Sequence, residues 1–197
     1  MKRITMIAGP NGAGKTTMAF TFISEHKEFY EEFLNADEIA RGLSPLRPES
    51  VNREAGKLMI KRFHSCIREN RSFIFESTAS GLSYAMHLEN AKKKGYEVNL
   101  LFLWLLNHDQ AVKRVAQRVK QGGHNIPEED IIRRYYRGLT NLITRYLPIS
   151  DTALILDNSE PEFGVRKTIA RKEYNACLTI EDKKIWERII KDADDKI

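Results

Sequence analysis

The sequence predicts an α/β domain in which helices cover both faces of a mostly parallel sheet of five or six strands. One observation is that short apolar runs, typical of buried strands, alternate with longer segments whose apolar residues recur at helical spacing. The other is a glycine-rich turn at residues 9–16, which joins the first apolar run to the first helical segment. Together they predict a three-layer sandwich of the P-loop NTPase type with a small helical lid.

The first half of the chain contains three of the predicted strands. They cover residues 4–8, 33–36 and 72–76, which are short apolar runs. Helices are predicted at residues 17–23, at about 48–70 and at 82–94, where Gly95 marks a helix end. The middle helix places apolar residues on one face: Ala55, Leu58, Met59, Phe63, Cys66 and Ile67. Strands and helices therefore alternate, as the α/β class requires.

The second half of the chain adds two strands, at residues 97–106 and 152–156. Between them, Asn107 or Asp109 can cap a helix that ends at Gln121. A second helix starts at Pro127, which three acidic residues follow, and ends near Arg145. In the tail, residues 164–174 suggest an added hairpin or strand and residues 181–191 suggest a helix, and their role stays open.

Length and composition fit one soluble domain over residues 1–197, with a lid at about 114–134 and a C-terminal extension at about 160–197. Of the residues, 42% are hydrophobic and 30% charged, which allows a proper core. The longest apolar run, residues 98–106, is too short to cross a membrane. Lys2 and Arg3 lead directly into the first strand, so we expect no signal peptide and a cytoplasmic protein without membrane contact.

The charge pattern and the cysteines exclude further classes. The net charge of +5 is modest, and no basic patch interleaved with aromatic residues is present, so a nucleic-acid partner is disfavoured. Cys66 and Cys177 form no motif. Because Cys66 falls on an apolar helix face, we expect a buried free thiol rather than a disulfide.

The turn at residues 9–16 reads GPNGAGKT and completes the pattern G-x-x-x-x-G-K-[ST]. Backbone N–H groups of such a loop surround the β-phosphate of a nucleotide, and the helix N-terminus adds partial positive charge. Lys15 can reach the β- and γ-phosphates, and the Thr16 hydroxyl can bind Mg²⁺. A chance match is disfavoured by the strand before it and the helix after it. We expect ATP or GTP to be bound by Gly9, Pro10, Asn11, Gly12, Ala13, Gly14, Lys15, Thr16 and Thr17.

Polar residues follow other predicted strands, whose carboxyl ends should meet at one edge of the sheet. Asp37 follows the second strand and has two compatible interpretations. It can accept the proton of an attacking hydroxyl, or it can cap the helix that begins at Glu38.

Two further carboxylates end apolar runs. Glu76 ends the third strand and can hold Mg²⁺ through water or bind a substrate hydroxyl, to which Thr78 adds a contact; the alternative is an acid in solvent. Asp157 ends the fifth strand, and contacts with adenine or within a turn suit it better than Mg²⁺.

A lid is predicted around Gly122 and Gly123, which join two helices rich in arginine. The arginines are Arg114, Arg118, Arg133, Arg134 and Arg137. One or two of them are expected to stabilise a transferring phosphoryl group and to exclude water. The others should be solvated, in pairs such as Glu129 with Arg133 and Asp130 with Arg134. His124 has no second ligand at metal spacing and suits a hydrogen bond in the loop.

Together these segments resemble the zeta-toxin family of P-loop kinases, most closely its short bacterial branch. The matching stretches are residues 8–17, 35–37, 75–78, 118–127 and 156–159. Their Glu-Ser-Thr and Gly-Gly-His-Asn-Ile-Pro segments make the match specific, because the phosphate loop alone is generic. The resemblance implies ATP and Mg²⁺ as cofactors, UDP-N-acetylglucosamine or a related sugar nucleotide as substrate, and an antitoxin protein as a candidate partner.

The resemblance also implies roles for individual residues. Lys15 and Thr16 would hold ATP and Mg²⁺, and Asp37 would be the base. Glu76 and Thr78 would bind the sugar nucleotide, and Asn158 would contact the nucleotide. Arg118 would stabilise the transferring group. The second family arginine falls near His124, and Arg134 is its substitute candidate here. Two alternatives remain: a kinase for another small acceptor, such as a nucleoside, nucleotide or sugar, and a nucleotide-dependent switch.

Overall fold

A computed structural model of the protein describes residues 1–123, 125–160 and 166–194. Within these residues, helices pack against one seven-stranded sheet with the spatial order β2-β3-β1-β4-β5-β6-β7. The strands are β1 (Lys2–Ala8), β2 (Glu32–Leu34), β3 (Phe73–Ser77), β4 (Tyr96–Trp104), β5 (Thr152–Asp157), β6 (Lys167–Lys172) and β7 (Leu178–Ile180). The first five are parallel, whereas β6 and β7 are antiparallel additions at one edge. The predicted fold class is confirmed.

The helices of the described residues lie in the predicted segments with shifted ends, except a short one at Leu147–Ile149, which was not predicted. They are α1 (Lys15–Glu25), α2 (Ala36–Leu43), α3 (Asn52–Arg68), α4 (Ser83–Lys92), α5 (His108–Lys120), α6 (Glu128–Asn141), α7 (Leu147–Ile149) and α8 (Lys183–Asp194). The long segment at 48–70 divides into a 3₁₀ turn, Pro48–Val51, followed by α3, and a π-helical turn, Leu142–Tyr146, follows α6. Asn107 is the residue that caps α5.

The sheet has more strands than the sequence predicted. The added strand expected within residues 164–174 is β6, although Gly164 and Val165 lie outside the described residues. Strand β7 was missed, and the expected count of five or six was therefore too low. Its three residues are half-exposed or exposed and pair only with β6, so they carry none of the apolar signal of a central strand.

The core holds β3 firmly beside β1. The ring of Phe63 on α3 packs edge-on against Phe73 and Phe75 of β3, with ring centroids 4.9 and 5.3 Å apart. All three side chains are fully buried, and burying a side chain of this size contributes roughly 1.5–3 kcal/mol. Strand β3 also pairs in parallel with β1, with Glu76 opposite Ile7, so the carboxyl ends of the two strands lie side by side.

Two smaller expectations concern the cysteines and the membrane. Cys66 is a buried free thiol, as predicted, and Cys177 is exposed and free. No helix in the described ranges has both the length and the apolar character needed to cross a bilayer.

Candidate active site

A cleft of about 440 Å³ lies where β1, β2 and β3 end. Several of the predicted site residues line it: Asn11, Lys15, Asp37, Glu76, Thr78 and Arg134. The rest of the lining is Asn35, Ala36, Glu49, Asn52, Met59, Ser77, Tyr84, Asn125, Ile126, Pro127 and Asp130. Residues at the ends of β1, β2 and β3 therefore meet in one cleft because parallel strands end at the same edge, and α6 adds Asp130 and Arg134.

The phosphate loop leaves β1 through a conformation that requires glycine. Gly9 has φ +143°, and a Cβ there would lie 2.3 Å from the backbone oxygen of Leu103 on β4. Gly12 has φ +76°, and a Cβ there would lie 2.9 Å from Cβ of Arg114. The loop is thus held closely between β4 and α5, and α1 begins immediately after it at Lys15.

Glu76 is the centre of the hydrogen-bond network in the cleft. Its Oε2 accepts a hydrogen bond from the Thr16 hydroxyl at 2.8 Å and another from Nδ2 of Asn35 at 2.8 Å. Its Oε1 lies 4.0 Å from Nζ of Lys15, which itself donates to the Pro10 carbonyl at 2.9 Å. One carboxylate therefore connects the phosphate loop to the residue that follows β2.

The charged groups of the cleft influence each other because they are buried. Burial raises the pKa of Glu76, and the nearby ammonium of Lys15 opposes that rise. Burial lowers the pKa of Lys15, whereas the charges of Glu76 and Asp37 raise it and those of Arg118 and Arg134 lower it. These interactions place both acids and both lid arginines within electrostatic range of the Lys15 ammonium.

Asp37 is the second residue of α2 and lines the cleft. The prediction that it caps the helix is wrong. Asn35 is the cap, since its Oδ1 accepts the backbone N–H of Asp37 at 2.8 Å and that of Glu38 at 3.2 Å. Strand β2 ends at Leu34, earlier than predicted. Helix α2 therefore also starts earlier, at Ala36 instead of Glu38. The Asp37 side chain is thus not used as the cap.

Thr78 lies in the loop between β3 and α4, and helix α6 contacts this loop. Its hydroxyl shares a hydrogen bond of 2.8 Å with the Ser80 hydroxyl. A Cβ on Gly138 of α6 would lie 2.8 Å from the Thr78 carbonyl oxygen, so the glycine allows the helix backbone to approach this loop. Asn141 of α6 donates to the Ala79 carbonyl at 2.8 Å.

The segment after β5 supports the phosphate loop from outside the cleft. Nδ2 of Asn158 donates to the Ala13 carbonyl at 2.7 Å, and its Oδ1 accepts from Nε of Arg166 at 2.9 Å. Asp157 accepts a hydrogen bond from the backbone N–H of Ser159 at 2.8 Å. Of the two contacts expected for Asp157, with adenine or within a turn, this is the turn contact. Neither residue lines the cleft, and the contact expected between Asn158 and the nucleotide stays a prediction.

The lid arginines differ in position. Arg134 lines the cleft, whereas Arg133 forms an ion pair with Asp130 instead of the predicted Glu129. Arg114 donates to the Ser159 carbonyl at 2.5 Å and has a structural role. Gly123 packs on Arg118, since a Cβ there would lie 2.5 Å from Cγ of that arginine. His124 lies outside the described residues.

Sequence reasoning missed the part of the cleft wall that comes from helices. Asn35 and Ser77 belong to the polar strand ends that were expected at this edge of the sheet, and both line the cleft. Met59 and Tyr84 come from α3 and α4, and the direction that a helix face takes depends on tertiary packing. Burial against the core raises the pKa of Tyr84 to about 12, so its hydroxyl stays protonated.

A comparison with models of protein families shows which family this chain belongs to. The model described as "Zeta toxin" matches residues 2–160. The chain belongs to the zeta toxin family. The matched range contains every predicted site residue, and residues 161–197 follow it.

Relatives of this zeta toxin family member include one protein of Haemophilus influenzae, which is uncharacterized. It is 32% identical over 127 residues, which cover 64% of this chain and 88% of the relative.

The solved structures that share the fold include the following two. One is the structure of the PezAT chromosomal toxin-antitoxin system of Streptococcus pneumoniae, with a TM-score of 0.63, 15% identity and coverage of 97% of this chain and 85% of that chain. The other is AvrRxo1-ORF1:AvrRxo1-ORF2 with sulphate ions, with a TM-score of 0.73, 14% identity and coverage of 95% of this chain. This protein spans 63% of the length of that second chain.

Proposed function

We propose that this zeta toxin family member is an ATP-dependent phosphotransferase that moves the γ-phosphate to a hydroxyl group of a small molecule. The family and its kinase fold support phosphoryl transfer from ATP. The observation that carries the proposal is that Lys15 of the phosphate loop, Asp37 and Glu76 line one cleft, where Glu76 also accepts a hydrogen bond from Thr16. A structure of AvrRxo1-ORF1:-ORF2, a fold neighbour, was solved with ATP.

On the nucleotide side of the cleft, the residues fit Mg²⁺. The Thr16 hydroxyl donates its proton to Glu76, so its oxygen lone pairs remain available to a metal. Mg²⁺ prefers such oxygen ligands and keeps several waters, and Glu76 can accept hydrogen bonds from them. The ion would neutralise charge on the phosphates. Lys15 binds the β- and γ-phosphates, and the backbone of residues 9–14 surrounds them.

On the acceptor side, Asp37 is the general base. It stands free of the capping role and lines the same cleft as Lys15, so it can take the proton of the attacking hydroxyl as that oxygen bonds to phosphorus. Glu76 and Thr78 hold the acceptor from the end of β3. Asp37 then returns the proton to solvent after the product leaves.

The lid supplies the remaining charge. Negative charge spreads over the transferring phosphoryl oxygens in the transition state, and arginine donors stabilise it. The two candidates are Arg134, which lines the cleft, and Arg118, whose charge together with that of Arg134 lowers the pKa of Lys15. Residues 125–127 at the lid tip exclude water that would otherwise take the phosphoryl group.

The zeta toxin resemblance makes UDP-N-acetylglucosamine or a related sugar nucleotide the first acceptor to test. The PezAT neighbour is a toxin-antitoxin system, so an antitoxin protein is the proposed partner. We further propose that residues 1–197 act as one kinase domain in which about 114–134 form the lid. The extension at about 160–197 adds β6, β7 and α8 to the domain edge.

Mass spectrometry of the purified protein with ATP, Mg²⁺ and a pool of UDP-sugars, sugars, nucleosides and nucleotides tests the proposal. We expect one acceptor to gain the mass of a phosphate as ATP becomes ADP. Transfer to an acceptor other than a sugar nucleotide would retain the kinase and reject the sugar-nucleotide substrate. Slow ATP hydrolysis that ignores every acceptor would instead indicate a nucleotide-dependent switch.

A further inference from the structure

Asn35 connects the two sides of the cleft. It follows β2, is 4% exposed and lines the cleft. Its Oδ1 accepts the backbone N–H groups of Asp37 and Glu38, and its Nδ2 donates to Glu76. A single planar side chain therefore ties the first turn of α2 to the end of β3.

The orientation of this amide is fixed from both directions. If the amide turned over, its NH₂ group would face two backbone N–H donors and its oxygen would face a carboxylate. Both contacts would then be repulsive. The three hydrogen bonds therefore allow only one orientation of the amide. Asn35 holds the first turn of α2 at a defined distance from Glu76.

We propose that Asn35 is a positioning residue for phosphoryl transfer, an inference that rests on the proposed function. Glu76 accepts hydrogen bonds from both Asn35 and Thr16, so the chain of contacts runs from the nucleotide side, through Glu76 and Asn35, to the backbone of Asp37. Asn35 thereby sets how far the Asp37 carboxylate stands from the γ-phosphate. A displacement of about 1 Å can lower the rate of a catalysed step roughly a hundredfold.

A simple helix cap would explain only two of these three contacts. The bonds to Asp37 and Glu38 are ordinary capping bonds, but the donation to Glu76 lies outside that role. The chain offers a matched control, because Asn107 caps α5 through a bond from the Gln110 backbone N–H and does not line the cleft.

Three variants separate positioning from capping. Asn35→Ser keeps a good capping hydroxyl but is too short to reach Glu76, so its melting temperature should stay near wild type. Its kcat for transfer should fall about tenfold or more, with KM for ATP within about threefold of wild type. Asn35→Ala should show the same loss of kcat and also melt about 2–4 °C lower.

The melting temperature of Asn107→Ala should fall by a similar amount, about 2–4 °C, and its kcat should stay within about twofold of wild type. Wild-type kcat in Asn35→Ser, or a change confined to KM for ATP, would overturn the positioning role and leave the kinase proposal standing. A wild-type protein that transfers phosphate to no acceptor would instead refute the kinase proposal, and the role of Asn35 with it.

Discussion

Single residues set the electrostatics of the cleft through Lys15 and Glu76, two opposite charges that are both largely buried. Burial alone would push each towards its neutral form, and their attraction opposes this. Lys15 also has the Pro10 carbonyl as an acceptor. Nucleotide phosphates would replace that neutral partner with a charged one, so the buried ammonium is prepared for anion binding.

The neighbouring residues Arg134 and Arg133 are expected to differ in their effect on phosphoryl transfer. Arg134→Gln should lower kcat for transfer about a hundredfold or more, because it removes a charge that faces the cleft and stabilises the transition state. Steady-state kinetics with saturating ATP measure this loss.

Arg133→Gln is the matched control. Arg133 is half-exposed and pairs with Asp130, and an exposed ion pair contributes only about 0–1 kcal/mol. Its kcat should remain within about twofold of wild type. Equal losses in the two variants would show that total lid charge matters and would remove the specific role of Arg134.

The residues that sequence reasoning placed well are those fixed by local chain geometry. Lys15 belongs to a loop of set spacing, and Glu76 ends a buried strand, so both positions follow from short segments. The bond from Asn158 to the Ala13 carbonyl was not predictable, because it depends on how the segment after β5 meets the phosphate loop. The capping role of Asp37 was wrong because it required the exact end of β2.

Among the secondary-structure elements, α6 determines where Thr78 lies. Its backbone approaches the Thr78 carbonyl at Gly138, and Asn141 and the following Tyr146 donate to the Ala79 and Gly81 carbonyls at 2.8 and 2.5 Å. The C-terminal half of α6 is therefore fixed to the loop at the end of β3.

Two glycines in helices test this packing. Gly138→Ala should lower the free energy of unfolding by about 1 kcal/mol or more, because the new Cβ would meet the Thr78 backbone oxygen at 2.8 Å. Gly56→Ala in α3 should raise it by about 0.5–1 kcal/mol, since nothing lies within 4 Å and alanine favours helix. Urea denaturation measures both, and a stabilised Gly138→Ala would contradict the close contact.

Helices were predictable from their periodic apolar faces, but the way that they meet was not. The spacing of Phe63 and Cys66 identified the buried face of α3. It did not reveal that Met59 on α3 and Tyr84 on α4 reach the cleft together. Those contacts join segments distant in sequence, and no local pattern encodes them.

In the whole molecule, the strand order creates the site. Strand β3 lies between β1 and β2, so Glu76 stands between the phosphate loop and Asn35 and bonds to both sides. The alternation of strands and helices predicted the parallel sheet, but many strand orders satisfy that alternation. The sequence therefore predicted which residues gather at the edge without predicting which of them are neighbours.

The central claim is that Asp37 is the general base for phosphoryl transfer. It is tested most directly by measuring the rate of transfer and the ATP affinity of Asp37→Asn, Lys15→Ala and the wild type. A base facing the γ-phosphate predicts that Asp37→Asn loses roughly a hundredfold or more of transfer while ATP affinity changes little. Lys15→Ala should lose both phosphoryl transfer and affinity for ATP. Full transfer by Asp37→Asn would contradict the account and leave Asp37 as an ordinary residue in the first turn of α2.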